Sequence, residues 1–152
     1  MAKEIERKFK VINNSYKQLA FKNHEIVQAY LSDRKEATVR VRIRDNEAFL
    51  TVKGVNHGIE RSEWEYSIPV DEARSIIKEC CSAVLSKTRY LVNYGKKIWE
   101  IDEFHGHLEG LVMAEVELSA PDEPIAIPDF AGEDVSNDTQ YYNSNLIKQI
   151  LR

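Results

Sequence analysis

Charged residues occupy alternate positions in most of the strand-like segments of this chain, and within a segment they carry mostly one sign. The clearest pairs are Glu4 and Glu6, Arg40 and Arg42, Lys87 and Arg89, and Glu115 and Glu117. Because successive side chains of a strand point to opposite faces, each pair shares one face and apolar residues take the other. Like charges so close together repel each other, so the folded chain needs something that neutralises them.

This alternation has the period of a β-strand and predicts eight strands. They cover residues 3–12, 25–32, 37–44, 47–53, 58–68, 83–92, 97–104 and 110–118. Helices are predicted over residues 15–21, over residues 72–81 with Asp71 as the N-cap, and over residues 144–151. Asp45-Asn46 and Tyr94-Gly95 are predicted to form two-residue hairpin turns. Eight mostly antiparallel strands can close into a barrel, although an open sheet with helices on one face fits the same pattern.

The composition fits a single soluble domain over residues 1–152, with 43% hydrophobic and 30% charged residues. No apolar run reaches the roughly 20 residues that a membrane helix needs, and the charged N-terminus lacks an apolar signal core. We therefore expect a cytoplasmic location and no membrane partner. The net charge of −4 argues against a nucleic-acid partner. The adjacent Cys80 and Cys81 are expected to be reduced thiols.

Two interpretations of the charged faces are open. The first is an ordinary amphipathic sheet whose charged face lies in water. The second is a closed barrel with the charges inside, which must then be wet, because each buried ion costs several kcal/mol and a domain has only about 5–15 kcal/mol of net stability. In a wet interior, clustered carboxylates suit a hard cation such as Mg²⁺ or Mn²⁺, and clustered Arg and Lys suit phosphate oxygens. The second interpretation therefore predicts a metal-bridged polyphosphate as ligand.

The chain resembles a known family in the order of these residues. The opening Glu4-Ile5-Glu6-Arg7-Lys8 reads ExExK on a strand, and the later acidic and basic pairs follow in series to about Asn143. This series is similar to the CYTH superfamily, whose members are also called triphosphate tunnel metalloenzymes. The resemblance implies a mainly β fold, a closed eight-stranded antiparallel β-barrel tunnel with a few flanking helices.

The resemblance also implies roles for individual residues. It implies one or two Mg²⁺ or Mn²⁺ ions held by Glu4, Glu6, Asp102, Glu115 and Glu117. It implies a triphosphate bound by Lys8, Arg40, Arg42, Lys53, Lys87 and Arg89. The expected catalytic residues are Lys8, Tyr30, Glu63 and Glu65. For Tyr30, contact with Lys8 and a purely structural role are both open, and so are the positions of Arg44 and Glu100 relative to the tunnel.

We expect metal-dependent hydrolysis of inorganic tripolyphosphate as the function, since the chain is minimal and has no evident segment that would recognise a nucleobase. A thiamine or nucleoside triphosphate is an alternative substrate. A class IV adenylyl cyclase, which converts ATP to cyclic AMP and diphosphate, is the alternative enzyme. A polyphosphate- or nucleotide-binding module is the non-catalytic alternative. The outward apolar faces leave a homodimer possible.

Overall fold

The computed structural model describes residues 3–151, with side chains up to residue 149, so residues 1, 2 and 152 of the predicted domain lie outside the described residues. The described residues contain nine strands: β1 (Lys3–Val11), β2 (Ala20–Arg34), β3 (Ala37–Arg44), β4 (Glu47–Lys53), β5 (Glu60–Ile68), β6 (Leu85–Tyr94), β7 (Lys97–Phe104), β8 (Val112–Glu117) and β9 (Ala131–Asp134). The α-helices are α1 (Tyr16–Leu19), α2 (Val70–Cys80) and α3 (Asn143–Leu146). Single 3₁₀ turns lie at Gly106–Leu108 and Thr139–Tyr141, and a longer one at Ile147–Leu151.

Eight of the strands form a closed antiparallel barrel. The hydrogen-bonded order is β5-β4-β3-β2-β6-β7-β8-β1, and β1 also pairs with β5 through Glu4 and Arg61. This closure confirms the predicted eight-stranded barrel and excludes the open sheet. The ninth strand, β9, pairs with β1 beyond the β5 contact, where Phe9 lies opposite Asp134. It was not predicted, because four residues are too few to show an alternating pattern.

Several predicted element boundaries were wrong for reasons of local hydrogen bonding. The predicted helix 15–21 shrinks to the single turn of α1, because β2 begins at Ala20 and pairs with β6. The second hairpin turn falls at Gly95-Lys96, with φ of 58° and 65°, because Tyr94 still pairs with Lys97. The hairpin at Asp45 is confirmed, with φ of 54°.

The helical predictions hold in part. Pro69, not Asp71, occupies the N-cap position of α2. Asp71 lies in the first turn, where its negative charge interacts favourably with the helix dipole. The predicted helix 144–151 is divided into α3 and the 3₁₀ turn that follows it. No helix within residues 3–151 is long and apolar enough to cross a membrane.

The apolar face of the barrel points outward over most of its surface and is covered by other elements. Val41, Ile43 and Ala48 of β3 and β4 pack under Ala73 of α2. On the opposite side, a larger cluster of Phe9, Tyr16, Trp99, Val116 and Phe130 joins β1, β7 and β8 to α1 and the loop before β9. Burying a side chain of this size stabilises the fold by about 1.5–3 kcal/mol. The charged faces of the same strands are thereby turned into the barrel.

One end of the interior is filled by apolar side chains. Leu85, Phe104 and Met113 share the inward parity of the charged residues on β6, β7 and β8. They pack against Leu146 and Ile147. We call residues 136–147 the C-terminal segment, because this stretch returns across that end of the barrel. It brings residues near the chain's end close to the charged interior.

Candidate active site

A cavity of about 300 Å³ lies inside the barrel and is lined mainly by charged side chains. Closure turns the faces of like parity toward one another, which is why residues far apart in sequence meet there. Of the residues predicted for the site, the lining includes Glu4, Glu6, Lys8, Tyr30, Arg40, Arg42, Lys53, Glu63, Glu65, Arg89, Glu115 and Glu117. Arg44 and Glu100, whose positions were open, also line it. Arg44 is partly exposed and pairs with Glu47 at 3.6 Å, near the edge of the barrel.

Lys87 and Asp102 do not belong to the cavity lining. Both are fully buried behind it, and Lys87 Nζ lies 2.8 Å from Asp102 Oδ2. Arg89 donates to both carboxylate oxygens of Asp102, from Nε at 2.8 Å and from Nη2 at 2.9 Å. Burial alone would raise the pKa of Asp102, but Arg89 and Lys87 hold it well below its usual range. Asp102 is thus occupied as a counter-ion, which differs from its predicted role as a metal ligand.

The cavity carboxylates form two close pairs. Glu4 lies beside Glu63, and Glu6 beside Glu115. Burial and the negative charges of Glu115 and Glu4 raise the pKa of Glu6 well above its usual value. Burial and the neighbouring carboxyl group of Glu4 raise the pKa of Glu63 to about 7. Both raised pKa values reflect burial first and then the negative charge of neighbouring carboxylates.

Basic residues neutralise only part of this charge. Lys53 Nζ lies 3.0 Å from Glu4 and 3.2 Å from Glu63. Lys8 Nζ lies 3.2 Å from Glu115. Within the described part of the chain, Glu6 has no Lys, Arg or His nitrogen within 4.0 Å. It is therefore the cavity carboxylate with the clearest need for an added cation.

Thr51 connects Arg40 to Glu65 by hydrogen bonds. Its hydroxyl accepts from Arg40 Nη2 at 3.2 Å and donates to Glu65 at 2.9 Å. Arg40 Nη2 also lies 3.6 Å from Glu65 Oε2. Thr51 is fully buried, so this bridge is shielded from solvent. The bridge fixes one guanidinium and one carboxylate on opposite sides of a single hydroxyl.

The donor set fits a divalent cation that substrate helps to hold. Among residues 3–151, no three His, Cys, Asp or Glu side chains converge closely enough to form a metal cage. Glu4 and Glu115 each form an ion pair with a lysine, Glu4 with Lys53 and Glu115 with Lys8. Mg²⁺ is commonly bound through one or two carboxylates, with water and substrate phosphates completing its shell. We call the basic side chains of the lining the basic wall: Lys8, Arg40, Arg42, Lys53 and Arg89. Paired carboxylates in the same cavity as this wall suit that mode of binding.

Two guanidinium groups in the cavity lack a carboxylate partner within 4.0 Å in the described residues. Arg42 donates from Nε to the neutral Gln28 Oε1 at 2.9 Å. Burial and the charges of Arg40 and Arg89 lower the pKa of Arg42 to about 9. Arg61 donates from Nε at 3.1 Å and from Nη2 at 2.8 Å to the Gly54 carbonyl. Uncompensated Arg side chains beside a cavity are suited to phosphate oxygens.

A contact between Tyr30 and Lys8, one of the two roles left open for Tyr30, is not among the contacts of the described residues. The Tyr30 hydroxyl accepts a hydrogen bond from Gln28 Nε2 at 3.1 Å. Lys8 Nζ instead donates to the Tyr141 carbonyl at 3.1 Å and lies 5.9 Å from the centre of the Tyr142 ring. The aromatic neighbour of Lys8 therefore comes from the C-terminal segment.

The residues of the cavity or its wall that the sequence prediction missed include Gln28, Arg61, Tyr142 and Asn143. Arg61 and Gln28 had a visible signal, since they share the inward parity of Glu63 and Tyr30. The alternation gave no signal for Tyr142 and Asn143, because they lie outside any alternating strand.

The family of the chain follows from comparison with known proteins. The model of the CYTH domain family matches residues 2–150, which is nearly the whole sequence. This chain belongs to the CYTH family. Among curated relatives, this CYTH protein is 45% identical to an inorganic triphosphatase of Acetivibrio thermocellus, over 97% of the chain and 95% of the relative. It is 33% identical to an inorganic triphosphatase of Nitrosomonas europaea, over 97% and 98% of the two chains.

Solved structures agree on the fold of this CYTH protein. The crystal structure of the inorganic triphosphatase NE1496 superposes with a TM-score of 0.67 at 29% identity, covering 95% of this chain and 97% of that one. HpAC1 from Hippeastrum, an adenylyl cyclase candidate with a dominant triphosphatase activity, superposes with a TM-score of 0.59 over 78% and 81% of the two chains. At 18% identity, this similarity supports the fold and not the function.

Proposed function

We propose that this CYTH protein hydrolyses inorganic tripolyphosphate with the help of a divalent cation. The observation that carries the proposal is the pairing of uncompensated carboxylates with uncompensated guanidinium groups in one cavity. A cation alone would satisfy the first set, and an anion alone would satisfy the second. A metal-bound phosphate chain satisfies both. The two curated relatives named as inorganic triphosphatases support the choice of substrate.

In the proposed complex the basic wall binds the phosphate chain. Arg40, Arg42 and Arg89 would contact phosphate oxygens from β3 and β6, and Lys53 and Lys8 from β4 and β1. Lys87 would act from behind the wall, because its ammonium is buried against Asp102. As phosphoryl transfer proceeds, these fixed cations stabilise the charge that gathers on the transferred group and on the leaving diphosphate.

The acidic wall would hold the cation. Glu6 and Glu115 lie near each other on the paired strands β1 and β8, and Glu4 and Glu117 line the cavity from the same two strands. We propose Mg²⁺ or Mn²⁺, one or two ions, since both suit carboxylate and phosphate oxygens. When bound, the cation neutralises phosphate charge and polarises the phosphorus centre.

The reacting water would be held by carboxylates of β5. Glu63 and Glu65 line the cavity, and their oxygens can accept hydrogen bonds from a water that faces the terminal phosphorus. The water oxygen forms a bond to that phosphorus as the bond to the bridging oxygen breaks. The water proton passes to a carboxylate, and diphosphate leaves against Lys8 and the arginines. Tyr30 would act by holding Gln28 in place.

The cavity lining favours a triphosphatase over an adenylyl cyclase. A cyclase must seat adenine and ribose, and base pockets are built mainly from apolar and aromatic side chains. Among the described residues that line this cavity, Ile59 is the only aliphatic one, and Tyr30 and Tyr142 are the only aromatic ones. The charged walls leave little apolar surface for a base.

A substrate panel tests the proposal. The purified chain is incubated with tripolyphosphate, ATP or thiamine triphosphate, with Mg²⁺ or Mn²⁺ and with a chelator as control. We expect phosphate release to be fastest with tripolyphosphate and to stop with the chelator. Formation of cyclic AMP and diphosphate would make the protein a cyclase, and tight binding without turnover would make it a binding module. The cytoplasmic location and the homodimer stay predictions.

A further inference from the structure

The C-terminal segment contacts Lys87, which lies behind the basic wall, through the side chain of Asn143. Its Oδ1 atom accepts a hydrogen bond from Lys87 Nζ at 3.0 Å and one from Gln28 Nε2 at 3.4 Å. Lys87 can only donate, so the amide must present its oxygen to the ammonium group. This requirement fixes the orientation of the Asn143 side chain.

Gln28 passes that orientation on to Arg42. Gln28 is fully buried, and its side-chain amide donates hydrogen bonds from Nε2 and accepts one at Oε1. The Nε2 end donates to Asn143 and to the Tyr30 hydroxyl at 3.1 Å, and the Oε1 end accepts from Arg42 Nε at 2.9 Å. A reversed amide would set two donors against each other at Arg42. The acceptor that Asn143 offers therefore helps to keep Arg42 in its position.

The segment itself is fixed on both sides of Asn143. Leu146 and Ile147 are buried in the apolar cluster with Leu85 and Phe104. On the other side, the Tyr141 carbonyl accepts from Lys8 Nζ at 3.1 Å. Burial and a charge-assisted hydrogen bond thus hold the Asn143 backbone beside the cavity.

We infer that Asn143 is a positioning residue for substrate binding, which holds Lys87 directly and Arg42 through Gln28. The C-terminal segment thereby sets the geometry of two cations on strands β6 and β3. The inference rests on the proposed function for the identity of the ligand. Asn143 is not a catalytic residue in this account, so its removal should weaken binding more than turnover.

The test compares Asn143→Leu with Gln28→Met, two changes that keep the side-chain size and remove the amide. For tripolyphosphate, we expect each variant to raise KM by about tenfold, the size of a lost hydrogen bond to a charged group, with kcat within about threefold of wild type. The double variant should raise KM no further than the stronger single variant, because both changes act on one chain of hydrogen bonds. The matched control is Asn145→Leu, since the Asn145 side chain donates to the Thr139 carbonyl at 2.8 Å and makes no other side-chain hydrogen bond within the described residues.

Several outcomes would overturn the inference: an unchanged KM in both variants, an equal change in Asn145→Leu, or independent effects that multiply in the double variant. If Asn143→Leu does not fold, Gln28→Met and Asn143→Ser carry the same test. If wild type shows no turnover of tripolyphosphate, the proposed function fails separately. Calorimetric binding of tripolyphosphate to wild type, Asn143→Leu and Asn145→Leu then decides the positioning role without reference to catalysis.

Discussion

Glu6 sits among carboxylates without a nearby base, and that isolation gives it a double effect. Burial and the charges of Glu115 and Glu4 raise its pKa, so the ionised form is held in the folded protein at a cost. The same isolation leaves its oxygens free for a cation. A residue that costs stability in the empty protein and is needed in the complex is typical of a functional site.

We therefore predict opposite effects of Glu6→Gln on activity and stability. Loss of one carboxylate from the acidic wall should lower kcat/KM for tripolyphosphate by about 100-fold or more. The metal-free variant should unfold at the same or a higher temperature than wild type, because a repelled charge is removed. Assays with Mn²⁺ and thermal unfolding with a chelator measure the two effects. Glu79→Gln on the exposed face of α2 is the control. Wild-type turnover in Glu6→Gln would remove Glu6 from the site.

Arg61 supports a second prediction at this scale. Among the described residues, its guanidinium donates to the Gly54 carbonyl and the Thr38 hydroxyl, which are both neutral, and it lines the cavity. Arg61→Ala should raise KM for tripolyphosphate by about tenfold with little change in kcat, because a charge-assisted contact to phosphate is lost. Arg74→Ala, which removes an exposed arginine of α2, should leave both constants unchanged. Equal KM values for Arg61→Ala and wild type would place no substrate near Arg61.

The parity of residues in strands predicted which side chains turn inward, and not how deep they lie. Arg89 and Lys87 have the same parity, but Lys87 is fully buried against Asp102 while Arg89 reaches the cavity. That difference depends on which partner each side chain meets across the barrel, and sequence spacing carries no such information. The contacts of Gln28 and Asn143 were hidden for the same reason, because they join β2 to the chain's end.

At the scale of elements, β9 adds to the barrel without belonging to its closure. It pairs with β1 and is tied to it by Asp134, which accepts from Arg7 Nε at 2.9 Å and from the Ser136 backbone N–H at 2.8 Å. Burial alone would raise the pKa of Asp134, but the hydrogen bonds from Ser136 and Arg7 lower it. The strand leads directly into the C-terminal segment, so its attachment also places Asn143.

Asp134→Asn tests this attachment through its pH dependence. Because the folded-state pKa is lower than the unfolded value of 3.8, the carboxylate stabilises the fold above that pH, and this contribution is lost as pH falls through the folded pKa. At pH 7 the variant should be less stable by about 1 kcal/mol, a value that allows for partial exposure. Urea unfolding at pH 7 and at pH 3 measures the difference, which should shrink at pH 3. A difference of the same size at both values would mean that the charge of Asp134 has no part.

Long strands with clear alternation could be predicted, and short or irregular elements could not. β3 and β4 lie where the pattern puts them, at Ala37–Arg44 and Glu47–Lys53. β9 and the start of β2 depend on pairing with strands distant in sequence, β1 and β6. Such pairing overrides local propensity, so no window of sequence contains the information.

For the whole molecule, the barrel places many acidic and many basic side chains around one cavity. The acidic and basic walls each repel themselves, and ion pairs such as those of Lys53 and Lys8 relieve only part of that repulsion. A ligand that brings both signs should therefore stabilise the fold more than either part alone. In a protein without a ligand, this many interior charges would only lower the stability of the fold. In a triphosphate site they bind the cation and the phosphate chain.

We predict that Mn²⁺ and imidotriphosphate, a tripolyphosphate analogue with nitrogen bridges, stabilise the protein cooperatively. At 100 times its dissociation constant a ligand adds about 2.7 kcal/mol to the unfolding free energy. The rise in unfolding temperature with both ligands should exceed the sum of the separate rises, since each neutralises the wall that repels the other. Simple additivity in a thermal unfolding series would mean that cation and phosphate bind at unconnected places.

The most direct test is a crystal structure of the protein with Mn²⁺ and imidotriphosphate, with anomalous diffraction used to locate the metal. We predict an anomalous peak between Glu6 and Glu115 on one side and phosphate oxygens on the other, with the phosphate chain against Arg42. Manganese or phosphate bound only on the outer surface, with the barrel cavity holding water alone, would contradict the account.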